Sequence, residues 1–319
     1  MGAKMKVLIA YDGINPVKGI VRDLQQAGLP KNTEAVVFTA VDAFVPPTVN
    51  AFDISADISS QYMDALRASV HARVHNDLDK ARGAARKAAD FLQAAFPGWT
   101  LHTETAADSP AWAIIKKSEK WKADLIVVES HHKPRLAKIF FGSVAQKIVT
   151  EASCTVRVIH EAPEETKTPV RLVIAVDGSA DSELAVNAAA ARHWKKGSSA
   201  RLVTVVDARL ASASASDLSS PKWMKKNDRK AREWIVRMSG AFEKKLKASG
   251  LLVSTLVKEG DPSHVLVDEA KKWGADCVFI GARGLNLIER FLIGSVSASV
   301  AAGAPCAVEV VRASRSAKR

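Results

Sequence analysis

"VRLVIAVDGSA" runs from Val170 to Ala180, and "MKVLIAYDGIN" runs from Met5 to Asn15. Each is a short run of Val, Leu and Ile that ends in Asp-Gly. The apolar residues do not alternate with polar ones, which is the signature of a strand covered on both faces in a parallel sheet. Asp-Gly then marks a turn. A chain that writes this sentence twice is a repeat, and the repeat extends outward from it. "AVVFTAVDAFV" (Ala35 to Val45) corresponds to "ARLVTVVDARL" (Ala200 to Leu210), and "KADLIVVES" (Lys122 to Ser130) to "GADCVFIGA" (Gly274 to Ala282). "FFGSVAQKIVTEASCTVRVI" (Phe140 to Ile159) corresponds to "LIGSVSASVAAGAPCAVEVV" (Leu292 to Val311), so the order is the same in both halves.

Between the strand-like runs lie helical patterns. "DSELAVNAAAARHW" (Asp181 to Trp194) has an acidic first turn behind Ser179, a capping residue. "DRKAREWIVRMSGAFEKKLKASG" (Asp228 to Gly250) is amphipathic and closed by glycine. "DPSHVLVDEAKKWG" (Asp261 to Gly274) places Pro262 in its first turn. Each half therefore reads β-α-β-α-β-α-β-α-β. The expected fold is α/β, two tandem doubly wound five-stranded parallel sheets. The expected division is one domain over 1–160, a linker over 161–169, a second domain over 170–313 and a basic tail over 314–319. Two stretches, Pro46 to Met63 and Ala211 to Met224, read as surface loops at the carboxyl ends of strands, where lids and ligand contacts also occur.

The whole-chain quantities fit this plan. The chain has 319 residues, 47% of them apolar and 25% charged, which is soluble globular composition long enough for two domains. No run approaches the roughly 18 apolar residues of a membrane span. The start goes directly into a strand pattern without a signal-peptide core, and Lys6 stands where a myristoylation signal needs Ser or Thr. Cys154, Cys277 and Cys306 are odd in number and sit among apolar neighbours. They read as reduced core thiols of a cytoplasmic protein. The net charge of +12 favours small polyanions such as nucleotides. No aromatic-interleaved basic strand supports specific nucleic-acid binding.

The stretch after the fourth strand of the second half carries the chemistry. In "GARGLNLIERFLIGSVSAS" (Gly281 to Ser299), Gly281 ends the strand, Gly284 follows three residues on, and Gly294-Ser295 opens a helix. Glycine lets backbone approach a bulky anion. A helix start offers free N–H groups and the positive end of a dipole. Ser295 and Ser297 add hydroxyls, and Arg283 adds charge. This is neither the P-loop nor the GxGxxG fingerprint, which belongs on the first strand turn.

On these residues and the repeated order of strands, nearly the whole chain resembles the universal stress protein family in its tandem form. The resemblance implies a Rossmann-like fold of the adenine nucleotide alpha-hydrolase type. The family's ATP-binding subset carries G-x2-G-x9-G-[ST], met here by Gly281, Gly284, Gly294 and Ser295. By that resemblance Asp177 lies by the adenosine with Ala175 behind it, and Val205 lines the base or ribose pocket. Gly281, Arg283 and Gly284 wrap the phosphate side, and Gly294, Ser295, Val296 and Ser297 hold phosphate and ribose oxygens. The implied cofactor is ATP, with Mg²⁺ as its companion ion. Read without the resemblance, Asp177 is equally a turn-forming Asp before glycine.

The first half departs from the motif. Glu129 stands opposite Gly281 and His132 opposite Gly284, while Asp12 and Gly142-Ser143 are kept. A pocket there is expected to bind ATP poorly, to hold another ligand, or to serve as scaffold. His131 and His132 invite a metal reading, but no Cys or Asp nearby completes a set, and His71 and His75, four apart on a polar helix face, read as solvated or capping histidines. Phosphoryl transfer needs a base or water-orienting group, and Glu289, inside the x9 stretch, reads as a surface residue. The expected function is thus a stress-response, ATP-binding regulatory module. A slow ATP hydrolase or self-phosphorylating protein, and a nucleotide-independent interaction scaffold, are the alternatives. By the same resemblance the terminal strands, Cys154 to His160 and Cys306 to Arg312, both short and Val-rich, pair the two halves as an internal pseudo-dimer, leaving room for a homodimer and for a further protein partner.

Overall fold

The computed structural model describes residues 4–42, 56–130, 142–160, 169–206, 229–284 and 293–313. The loop residues 46–55 and 211–224, the pair His131 and His132, Glu289, most of the linker (161–168) and the basic tail lie outside the described residues.

The first half runs β1 (Met5–Ala10), α1 (Val17–Gln26), β2 (Thr33–Val41), α2 (Ala56–Ala95), β3 (Thr100–Ala107), α3 (Pro110–Trp121), β4 (Leu125–Glu129), α4 (Ser143–Glu151) and β5 (Thr155–Ile159). The second half repeats it. It runs β6 (Arg171–Ala175), α5 (Ala180–Ala190), β7 (Ser199–Val206), α6 (Arg229–Ala248), β8 (Leu252–Glu259), α7 (Pro262–Trp273), β9 (Cys277–Gly281), α8 (Ser295–Gly303) and β10 (Ala307–Val311). In each half the strands are parallel and ordered third, second, first, fourth, fifth. The doubly wound expectation holds in both. The order reverses between β1 and β4 and between β6 and β9, the crevice where open α/β sheets take ligands.

The helices begin and end where local chemistry dictates. Ser179 accepts a hydrogen bond from the Ser182 amide at the start of α5, and Asp261 accepts one from the His264 amide at the start of α7. Gly274 closes α7 in the left-handed conformation. One expectation needs correction. The stretch Pro46 to Met63 is not loop throughout, because α2 begins at Ala56 and continues for 40 residues. Its apolar stripe, through Ala85, Ala88 and Leu92, packs on the face of β1, β2 and β4.

The fifth strands of the two halves pair antiparallel, β5 with β10, so one ten-stranded sheet runs through the molecule. A single apolar cluster on one face of that sheet takes in Ile148 and Val158 from the first half and Val300 and Val308 from the second. On the opposite face the halves touch where His193 donates its amide to the Gly28 carbonyl, at 2.8 Å. Gly28 has φ of +63°, and a Cβ there would lie 3.0 Å from the Cβ of Arg192. The junction is tight at Gly28, where a side chain would crowd Arg192 and strain the left-handed backbone.

The three cysteines are free and buried, as their apolar neighbours imply. Burial pushes the Cys154 and Cys277 thiols up to about 12, from a reference of 9.0. The folded chain is therefore expected to resist a maleimide at pH 8 and to take up reagent at all three thiols once unfolded. The shift also sets a pH dependence. Below pH 9.0 the thiols are protonated in both states, and between 9.0 and about 12 only the unfolded chain ionises. The stabilisation is lost as pH rises through that window. Denaturant midpoints measured from pH 8 upward check it.

Candidate functional site

The second-half site is built where β6 and β9 deliver their carboxyl ends. Asp177 lies two residues past the last residue of β6, and its Oδ1 accepts from the Ser179 amide at 2.9 Å, which folds the Asp-Gly turn back on itself. Its other oxygen lies against the glycine turn, and a Cβ built on Gly284 would sit 2.8 Å from Asp177 Oδ2. Gly281 is tighter still. A Cβ there would meet the carbonyl carbon of Asp181 at 2.5 Å and the amide nitrogen of Ser182 at 2.8 Å, both backbone atoms of the first turn of α5. No side chain fits between β9 and α5 at this point. The glycine the sequence places here is required by packing as well as by any approach of a ligand.

The two ends of the motif are stitched together. The Ala282 amide donates to the Val311 carbonyl at 2.9 Å, and the Gly294 amide donates to the Ala282 carbonyl at 2.8 Å. Residues 285–292 of the x9 stretch lie outside the described residues. Gly294 is the N-cap of α8 and makes no side-chain capping bond, so the first amides of that helix have no cap from its own side chain. Ser295, at the first position, is exposed. Ser297 is buried, and its hydroxyl donates to the Gly281 carbonyl at 2.7 Å, an internal bond that ties α8 to the end of β9. Ala175, Val205 and Val296 share one apolar cluster. The structure thus brings Asp177, Gly281, Arg283, Gly284, Gly294 and Ser297 around one crevice, and sets Ala175, Val205 and Val296 in the apolar packing of that face.

Arg283 is held by a residue that the sequence reading passed over. Its guanidinium donates to both carboxylate oxygens of Asp181, at 2.9 and 3.0 Å. That bond holds the Arg283 pKa above its ordinary value, against the opposing pull of partial burial. Ser179 adds a hydroxyl contact to the Arg283 carbonyl at 3.4 Å. In the sequence Asp181 shows only as an acidic first-turn residue, because its partner lies 102 positions away. Trp234 of α6 was likewise missed. A Cβ on Gly178 would fall within 2.3 Å of two atoms of its ring, so the indole lies directly over the Asp-Gly turn.

The sequence model of the universal stress protein family matches residues 5–160 and again 170–312. The chain belongs to the universal stress protein family. A universal stress protein of Staphylococcus aureus (strain USA300) is 33% identical over 142 residues, which is 44% of this chain and 82% of that protein. A Staphylococcus epidermidis relative is 32% identical over the same length and shares. Among solved structures, a universal stress protein from Archaeoglobus fulgidus superposes with a TM-score of 0.58 at 18% identity, covering 96% of this chain and 98% of that one. One from Pseudomonas aeruginosa gives 0.58 at 15% identity, covering 97% and 94%. At these identities the two structures speak for the fold.

The first half of this universal stress protein keeps a cleft at the matching position. A cavity of about 230 Å³ opens at the ends of β1, β2 and β4, with Asp12, Phe38, Glu129 and Ser143 on its walls. Burial, then the charges of Asp12 and Glu129, raise the pKa of Tyr11 beside it. Glu129 therefore stands on the wall of the first-half pocket at the position that the second half gives to Gly281. His71 and His75 are both exposed on α2, and among the described residues no group of three metal-ligating side chains comes together. Among the described residues no helix is long and apolar enough to cross a membrane.

Proposed function

We propose that this universal stress protein is an ATP-binding regulatory protein of the stress response that takes its nucleotide in the second half. The observation that carries the reading is the crevice between β6 and β9. There a carboxylate from one strand end, Asp177, faces a turn without side chains at Gly281 and Gly284, next to the uncapped start of α8. The donor set fits a nucleotide. Asp177 can accept from ribose hydroxyls or a base amine, and the α8 amides with Ser295 can donate to phosphate oxygens. Arg283 supplies positive charge at the phosphate side, oriented by Asp181. Mg²⁺ would accompany the phosphates. Bound ATP would set the conformation offered to a protein partner. In the first half Glu129 opposes phosphate, so that half serves as scaffold or holds a ligand of other chemistry.

Titration calorimetry with ATP and Mg²⁺ tests the proposal, together with mass spectrometry of small molecules released on denaturation. The expected result is one ATP per chain, recovered intact. Two equivalent sites would show that Glu129 does not close the first half. The absence of any saturable binding would leave the interaction scaffold as the function.

A further inference from the structure

The seam between the halves contains four buried charges in a row. β5 and β10 pair in a register that sets Arg157 opposite Glu309, flanked by Val158 opposite Val308 and Val156 opposite Val310. Arg157 and Glu309 also occupy the same position of the sequence repeat, in "TVRVI" and "AVEVV". The local two-fold relating the halves therefore passes between them. Residues on such an axis meet their own counterpart. Two identical halves would place the same charge against itself.

Here the counterparts are opposite in sign, and each is supported from its own half. Arg157 Nη1 donates to Glu309 Oε2 at 3.2 Å. Arg157 also donates to both oxygens of Asp23 on α1, at 2.7 and 2.9 Å. Glu309 accepts from Arg192, just beyond α5. The order Asp23, Arg157, Glu309, Arg192 alternates in sign, with side chains 6%, 1%, 0% and 6% exposed. Burial works against the Arg157 cation, but the charges of Asp23 and Glu309 and the Asp23 hydrogen bonds offset it, and its pKa is held above the ordinary value.

We propose that this row of charges is a recognition code which lets the β5 edge accept the β10 edge and no copy of itself. A β5–β5 pairing in the same register would bury two arginines face to face, and a β10–β10 pairing two glutamates, in each case away from water. A second copy of this chain can then join at the seam only by reciprocal exchange of halves. Any other self-association must use a different face.

Reporter cysteines read the pairing directly. With the three native cysteines replaced by alanine, Val156→Cys and Val158→Cys place thiols on one face of β5. In β5–β10 pairing they meet Val310 and Val308. In β5–β5 pairing, residue 156 of one copy meets 158 of the other, and an interchain disulfide can close. The full-length reporter is refolded from denaturant at rising concentration under mild oxidation and run on a non-reducing gel. Interchain disulfide dimers are expected to be absent. In the same reporter carrying Asp23→Leu and Arg157→Met, which removes the β5 charge together with its own partner, they are expected to rise at least about tenfold. Dimers in the reporter with all four charges intact would overturn the proposal, whether or not the second variant folds. So would a folded second variant with no more dimer than the first.

Discussion

Gly294→Asp is expected to remove ATP binding while leaving the fold as stable as the parent. The two halves of that statement rest on different physics. Gly294 is the N-cap of α8, with φ of −67° and ψ of 148°, a conformation open to any residue. Aspartate is among the best N-cap residues, and it would satisfy amides that the glycine leaves without a side-chain acceptor. The same carboxylate would stand where the phosphates approach, on the amides that should receive them. A loss of at least ~100-fold in affinity, about 2.7 kcal/mol, is expected by calorimetry. The melting temperature should stay within about 2 °C of the parent. A folded variant with the parent's dissociation constant would remove α8 from the binding site.

Gly281→Ala is expected to be strongly destabilising, because its added methyl group runs into backbone. Its Cβ would stand 2.5 Å from the carbonyl carbon and 2.6 Å from the carbonyl oxygen of Asp181. Those are backbone atoms, so relief requires α5 to lift from the sheet. That movement would also pull Asp181 from Arg283. A destabilisation of about 3 kcal/mol, at the upper end of the overpacking range, is expected, with ATP binding lost alongside it. Gly83→Ala supplies the contrast. Gly83 lies within α2, where an added Cβ meets nothing within 4 Å. Removing a glycine from a helix interior there should stabilise by about 0.5–1 kcal/mol. Guanidinium unfolding of the two variants should thus move the midpoint in opposite directions. A neutral Gly281→Ala would mean that β9 and α5 pack less closely than the structure has them.

The strand plan was legible because its information is local. Runs such as "LVIAV" (Leu172 to Val176) and "CVFI" (Cys277 to Ile280) are apolar throughout since helices cover both faces, and each is followed at once by a turn residue, Asp177 or Gly281, that can be read on the spot. The start of α2 was not legible. The stretch from Pro46 to Met63 intersperses Pro, Asp and Ser among its apolar residues, and the helix from Ala56 is not marked by a clear stripe in its first turns. The motif glycines were readable as a pattern, but their packing duty was not, because Gly281 meets a helix 100 residues earlier in the chain. Arg283 gave no sign of Asp181 for the same reason. The seam charges were hidden most completely. Arg157 and Glu309 each look like a lone polar residue in a Val-rich strand, and their partners Asp23 and Arg192 lie on helix ends that sequence spacing does not connect to them.

The antiparallel seam gives the molecule two poles. Strands within a half all run one way, and those of the other half run the opposite way. The carboxyl ends of the strands, and with them the crevice beyond β1 and β4 and the crevice beyond β6 and β9, therefore point in opposite directions across the seam. A protein that docks over Gly284 and Ser295 leaves Asp12 and Glu129, at the strand ends of the other half, uncovered. A strain applied at one crevice reaches the other along the strands and across the seam, through its charges and the apolar cluster shared by the two halves.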